Sequence, residues 1–366
     1  MLGRGVDQIL PHPCDPEIRE RYLDSALDYV RLAERVNGPI ARPVTPSYVW
    51  GDALEELVRV KPHARIVNLE TAVTRSEDRV PKGINYRMSP ANVTCLSAAG
   101  IDCCALANNH VLDWGPSGLA ETLDTLRAAG IRTAGAGRSR PEAQAPAELP
   151  LEPHGRILVF SFGTEGSGVP PDWAAAPNRP GIDFLPDLSD HTADRIAARV
   201  HAVKRDGDLV VASIHWGANW GYAISAAEER FAHRLVENAG VDVFHGHSSH
   251  HPKGIDVFRG KLILYGCGDF INDYEGIGGH EAFRGDLGLM YFPTIEAETG
   301  RLLRLEMVPT QMKRMQVRRA SPADAHWLRT LLDREGGRFG TSTAPGASQG
   351  IELKWKKPSD TRVPSP

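Results

Sequence analysis

Asp102-Cys103-Cys104-Ala105-Leu106-Ala107, running straight into Asn108-Asn109-His110-Val111-Leu112-Asp113-Trp114-Gly115, is the stretch on which the fold turns. The first six residues have the length and composition of a buried strand, and the polar cluster begins where the apolar run stops. The same pattern recurs three times. Arg65–Leu69 runs into Glu70, Leu209–Ile214 into His215, and Val241–Phe244 into His245-Gly246-His247. Helical patterns lie between these runs, over Pro116–Ala129, Ser189–Asp206 and Ser225–Ala239. Ser117 and Ser225 suit N-caps, and Gly130 and Gly240 suit C-terminal stops. Strands alternating with helices predict an α/β fold with mostly parallel sheet order.

The second half reads differently. Gly254–Arg259, Lys261–Tyr265, Asp286–Phe292 and Leu302–Pro309 predict consecutive strands joined by turns such as Arg259-Gly260 and Thr299-Gly300, a meander of antiparallel character. Ser321–Glu335 predicts a late helix, residues 336–350 a loop, Ile351–Trp355 a closing strand, and residues 356–366 a tail. One domain over residues 1–335 is expected, with residues 336–366 as its appendage. The stretch 163–186, dense in Gly and Pro, has the look of a functional cover.

Composition excludes several classes. Hydrophobic residues make up 41% and charged residues 24% of the 366, which is ordinary for a folded globular chain. A net charge of -4 offers no basic field for nucleic acid or an anionic membrane. No apolar run is long enough to span a bilayer. Residues 1–10 contain no apolar signal-peptide region. The five cysteines, two of them adjacent, do not form a disulfide framework. Core packing and a reducing, cytoplasmic setting are the expectation.

In open α/β sheets ligands bind beyond the carboxyl ends of the strands. Here four strand ends carry Glu70, Asn109-His110, His215 and His247. A lone histidine after a strand is more often structural than a ligand; four such groups in one structural place point to a site. A carboxylate, an amide oxygen and imidazoles make a mixed N/O set suited to Mn, Fe or Zn, with no thiolate among them. A divalent pair bridged by a carboxylate can clamp a phosphate ester and generate hydroxide.

The segments Asn68-Leu69-Glu70, Ala107–Gly115, Ile214-His215-Trp216-Gly217, His245-Gly246-His247-Ser248-Ser249-His250 and Gly260–Ile271 resemble the CapA branch of the calcineurin-like metallophosphoesterases, named for bacterial capsule or poly-γ-glutamate biosynthesis. The resemblance extends from Met1 to about Trp355. It implies a four-layer α/β/β/α sandwich. It places Glu70 as the bridging carboxylate, Asn109, His215 and His247 around one metal, and His250 near the last histidine ligand, one residue further on than in ordinary phosphoesterases. His110 takes the place beside the leaving group, with Asp113 orienting its imidazole.

One departure stands out. Family members open with a strand ending Gly-Asp-Val-Met-Leu-Gly-Arg, whose Asp is a metal ligand. This chain begins Met1-Leu2-Gly3-Arg4, within that motif. Either the strand and its Asp lie before Met1, or they are lost and the site holds one metal or none. Loss of a central strand would expose sheet edges and core, so the first is our expectation. A signal peptide upstream would be hidden by the same displacement. Asp7 is a local substitute too far along the chain to expect at the site.

Among other candidates, Arg87 and Tyr86, after a Gly-containing loop, and Arg4 are expected to contact an anionic substrate, with a surface arginine or a structural salt bridge as the bland readings. Trp216 and Trp220 suit packing. His12, His63, His154, His201, His233 and His326 read as solvated or structural. His251, His280, Asp269 and Asp273 read as supporting residues or turn. The expected function is hydrolysis of a phosphate ester or related anionic substrate, with His110 as general acid. The rivals are metal-free acid/base isomerisation, such as epimerisation of a peptide residue, and a non-catalytic binding component of polymer export.

Overall fold

The structure, a computed structural model, describes residues 1–153 and 155–356. Three strands, β1 (Ile66–Asn68), β2 (Cys103–Ala105) and β3 (Arg132–Ala134), form a parallel sheet in that order. Successive residues of a strand point to opposite faces. The adjacent cysteines show it: Cys104 packs with Leu119, Leu123 and Leu126 of helix α1 (Gly115–Ala128), whereas Cys103 packs with Val159 and Val211 of a second sheet.

That second sheet contains β4 (Ala147–Leu151), β5 (Gly155–Thr164), β6 (Phe184–Leu185), β7 (Leu209–His215), β8 (Val243–His247), β9 (Ile255–Phe258) and β10 (Lys261–Leu264). Its order is β6-β5-β7-β8-β10-β9, with β4 pairing β5 at one side. The pairs β5–β7, β7–β8 and β8–β10 are parallel. Leu158, Phe160, Val210 and Ala212 face one way, against Ile196 and Val200 of α2 (Asp190–Val203) and Phe231 of α3 (Ala226–Arg234). Ser189 caps α2, and Ser225 closes a capping box with Glu228 on α3.

A third sheet holds β11 (Leu287–Ile295), β12 (Leu302–Lys313), β13 (Gln316–Arg319), β14 (Thr341–Pro345) and β15 (Ile351–Trp355), in the order β11-β12-β15-β14 with β13 on β12. The helix Pro322–Gly336 packs beside it through Leu328 and Leu332.

Several sequence expectations are corrected. The central strand β5, apolar throughout its middle, was not anticipated, because its hairpin partner β4 interrupts the strand–helix alternation. The late strands are not one meander: β9 and β10 pair antiparallel across the Arg259-Gly260 turn, as expected, but belong to the second sheet, where β10 also pairs parallel with β8, while β11–β13 run as consecutive antiparallel partners in the third. Residues 341–345, expected as loop, form a strand paired with β15. Ser117 does not cap α1, which begins at Gly115 after Trp114; the Ser117 hydroxyl meets that of Ser76. His154 and the tail beyond Lys356 lie outside the described residues. Among the described residues no helix is long and apolar enough to cross a membrane.

Candidate functional site

The site gathers at the carboxyl ends of β1, β2, β7 and β8. Parallel pairing puts His215 directly beside His247 in register, so the two imidazoles meet, Nδ1 to Nδ1, at 2.8 Å. Both are buried, and burial holds both neutral: His215 falls to about 3, with His250 and Lys82 adding to the effect, and His247 falls well below its ordinary value. Ser213 sits two residues before His215 on the same face. Its hydroxyl bridges His247 Nε2 at 2.9 Å and His245 Nδ1 at 3.0 Å, which fixes the His247 ring. Gly246 between these histidines is required by space. A Cβ there would stand 2.5 Å from the Tyr265 carbonyl.

After β2, Asn108 works as a structural clip. Its Oδ1 accepts from the backbone N–H groups of His110 and Val111, and its Nδ2 donates to Asn68 Oδ1 and the Leu69 carbonyl. Asn68 in turn donates to Glu70 Oε2 at 2.9 Å. The strand ends of β1 and β2 are thereby tied together. His110 is buried and donates from Nδ1 to Asp113 Oδ2 at 2.6 Å. Asp113 also accepts from the Tyr86 backbone N–H at 2.6 Å and pairs with Lys82 Nζ at 2.7 Å. The Tyr86 ring meets His110 edge-on at 4.3 Å. Burial, which outweighs Asp113 and is reinforced by Lys82, pulls the His110 imidazole below its ordinary range. With Nδ1–H committed to Asp113, Nε2 is the ring's free nitrogen.

His250 faces Asp269 at 3.0 Å. Burial opposes its charge, but the Asp269 carboxylate outweighs burial and raises the imidazole above its ordinary range; His250 in turn lowers Asp269 against the same burial. Asn272 steadies Asp269 at 3.0 Å. Glu70, His247 and Asp269 line one cavity, and Lys82 donates to the Asn109 carbonyl.

Other candidates fall elsewhere. Arg4 is buried, bidentate on Asp273 at 2.8 and 2.7 Å and paired with Glu20 at 2.9 Å, so its bland reading as a structural ion pair is what the geometry shows. Arg87 is engaged by Glu77 and the Ser76 carbonyl and lies over the Trp114 ring at 3.9 Å. The Tyr86 hydroxyl reaches Tyr274 at 3.1 Å. Asp7 binds the backbone N–H groups of Cys14 and Ser89 and the Asn92 amide, and is structural. His233 pairs with Asp256 and stacks on Phe258, and Trp216 is buried packing. Trp220 stacks on the exposed His280 and leans on His250, forming a rim to the site. Within the stretch 163–186, Ser167 hydrogen-bonds the His215 carbonyl, and a Cβ on Gly168 would stand 3.2 Å from the Asn109 amide.

Sequence reading missed Lys82, which donates to the Asn109 carbonyl as well as pairing with Asp113. A lysine in a loop, Pro81-Lys82-Gly83, carries no local signal of its role. Ser213 was equally silent, as one polar residue inside an apolar strand.

Two neutral imidazoles and the Asn109 Oδ1, buried without a hydrogen-bond partner, are donors of the class that divalent ions take. Yet among the described residues no three His, Cys, Asp or Glu side chains stand close enough to hold an ion.

The sequence of residues 1–274 matches the family described as bacterial capsule synthesis protein, PGA_cap. The chain belongs to that family. Across this capsule synthesis family it is 49% identical over 344 residues to a probable polyglutamine synthesis accessory protein of Mycobacterium tuberculosis, an alignment covering 93% of this chain and 90% of the relative. It is 26% identical over 284 residues to the PGA biosynthesis protein CapA of Bacillus subtilis, covering 75% and 61% of the two chains. It is 25% identical over 199 residues to the capsule biosynthesis protein CapA of Bacillus anthracis, covering 54% and 47%. Capsule synthesis family membership thus agrees with the motif resemblance read from the sequence.

Proposed function

We propose that this chain is an enzyme of capsule or poly-γ-glutamate-type polymer synthesis that hydrolyses phosphate esters or a related anionic substrate, with His110 handling the proton. The observation that carries this reading is the buried His110–Asp113 pair at 2.6 Å, with Lys82 on the other carboxylate oxygen. Asp113 sets the tautomer, so Nε2 is the nitrogen left to take a proton and pass it to the leaving group. Lys82 pairs with Asp113 and lends positive charge beside an anionic substrate. The reading includes the four-layer sandwich, supported by α1 on the first sheet, the first sheet on the second, and the second on α2 and α3. A bound divalent ion would supply Lewis acidity and an activated water. Asn109, His215 and His247 are the donors this chain offers it, and elemental analysis of the purified protein, alone and as His215→Ala, tests that part.

The proton role is tested separately. On an alkyl phosphate diester, whose leaving group needs a proton, His110→Ala is expected to retain its fold and lose roughly 10²–10⁴-fold in kcat. Asp113→Asn is expected to lose less, and the double variant to be little worse than His110→Ala, because the two act as one unit. Turnover of the diester by His110→Ala at the wild-type rate overturns the role. Metal-free isomerisation is the second reading, with the proton moved by His110 on its contacts to Asp113 and Lys82. Exchange of a peptide α-proton with solvent deuterium, with no phosphate ester turned over, selects it.

A further inference from the structure

Residues 276–283 cross the rim of the site between two anchors. At one end Glu275 is buried, and its carboxylate accepts from the Arg314 N–H at 2.7 Å, the Met315 N–H at 2.6 Å and the Asn37 amide at 2.6 Å. At the other end Asp286 takes Arg284 bidentately at 2.9 and 3.0 Å and the Gln311 amide at 2.7 Å, and Arg284 reaches on to Asp324 at 2.8 Å. Between these anchors residues 276–282 are exposed, and Phe283 is partly buried. Among the described residues, every hydrogen bond made by residues 276–283 stays within residues 274–284. Such bonds hold a segment's own shape without holding it to its neighbours. Gly276 and Gly279 have φ of +82° and +106°, which L side chains rarely adopt, so the segment bends at its start and again just before His280.

Rings, not hydrogen bonds, tie the middle of the segment down. The His280 imidazole lies nearly flat on the Trp220 indole, with centroids 4.1 Å apart at 11°. The Phe283 ring packs on Tyr222 at 5.2 Å and on His251 at 4.8 Å. Trp220 is the fixed side of this contact, because its loop is bound to the histidine-rich loop after β8. Ser248 Oγ donates to the Gly217 carbonyl at 3.2 Å, the His250 N–H to the Asn219 carbonyl at 3.0 Å, and the Gly221 N–H to His251 Nε2 at 3.1 Å. Trp220 in turn leans on His250, with centroids 5.3 Å apart. Just past the segment, the Gly285 carbonyl accepts from Asn272, which also donates to Asp269, the carboxylate that holds His250. Anchored ends, glycines at the bends and ring contacts in the middle are the parts of a lid. A stacked ring pair favours contact by roughly two- to tenfold. One such pair keeps a lid down and still lets it open unaided.

We propose that residues 276–283 form a strap that lifts from Trp220 to admit substrate and seals the His250 side of the site when it lies down, with the His280 ring as its latch. This rests on the reading of that site as the place where substrate binds. A strap held at Glu275 and Asp286 lifts rather than swings away, so it returns to Trp220 after each turnover.

The test uses the full chain labelled with fluorotryptophan, the Trp220 fluorine NMR signal being assigned by its loss in Trp220→Phe. His280→Ala is expected to move that signal and to leave the melting temperature unchanged. Amide hydrogen exchange at 276–283 is expected to be at least about 100-fold faster than at 289–292 of β11. Inorganic phosphate, the probe of the site with its binding followed by calorimetry, is expected to slow exchange at 276–283 at least about threefold. On the alkyl phosphate diester, His280→Ala is expected to raise KM about two- to tenfold, the strength of the latch, and to lower kcat by less than about twofold. His280→Phe, which keeps a ring on the indole, is expected to restore KM. If the wild type neither binds phosphate nor turns over the diester, the reading of the site fails, and the strap is then judged on the fluorine signal and on exchange in the free protein. A Trp220 signal identical in wild type and His280→Ala, exchange at 276–283 as slow as in β11, phosphate that binds without slowing it, or His280→Phe no better than His280→Ala each overturns the strap.

Discussion

Asp273→Ala is expected to be among the most destabilising single substitutions in this chain, although Asp273 lies in a polar turn. Its carboxylate takes both guanidinium contacts of Arg4, at 2.8 and 2.7 Å, and also accepts from the Gly5 N–H at 2.9 Å. The side chains are 2% and 0% exposed, so water cannot replace what is removed. Breaking such a pair from one side leaves a buried charge uncompensated, at about 3–5 kcal/mol, and the orphaned Gly5 N–H adds about 1 kcal/mol or more. Glu20, still paired with Arg4 at 2.9 Å, offsets part of this. The net expectation is a loss of about 3–5 kcal/mol. Equilibrium urea unfolding, followed by circular dichroism and by tryptophan fluorescence, measures it where the two transitions coincide. Arg4→Met combined with Asp273→Leu removes both charges and is expected to recover at least about 1 kcal/mol relative to the sum of the single losses. Loss of less than about 1 kcal/mol in Asp273→Ala, or strict additivity in the pair, refutes the reasoning. An Arg4 that served substrate instead would leave stability intact and raise KM.

Gly246→Ala forces a Cβ to 2.5 Å from a backbone carbonyl between β8 and β10, which cannot give way as a flexible side chain would, so a loss of roughly 1–3 kcal/mol or more is expected in thermal unfolding; an unchanged melting temperature contradicts the packing described. Asp187, at the start of α2, is held down to about 2 by the Ser189 and Thr192 hydroxyls and the Ser189 N–H. A depressed carboxylate contributes stability that is complete above its unfolded value near 4 and is lost as pH falls through about 2. The stability difference between wild type and Asp187→Asn, read as a urea midpoint, is therefore expected to narrow as pH drops from 5 toward 3, and a difference independent of pH counts against the cap.

The alternation of apolar runs with helical patterns settled the α/β class and located β1, β2, β7 and β8, because a buried strand must be apolar on both faces and stop where polar residues begin. It also put Glu70, Asn109, His110, His215 and His247 at strand ends, and the spacing of His110 and Asp113 placed one within reach of the other. Tertiary structure alone decided what each polar residue meets. Arg4 and Arg87 look alike in sequence to any anion-binding arginine, but Asp273 and Glu77, one of them 269 residues away, claim them. Lys82 enters the site because its loop folds over Asp113. That β9 and β10 join the second sheet while β11 opens the third is invisible in a one-dimensional pattern. Which edges lack a partner depends on strand order, and strand order is set by long-range pairing between segments whose own sequences do not name their neighbours.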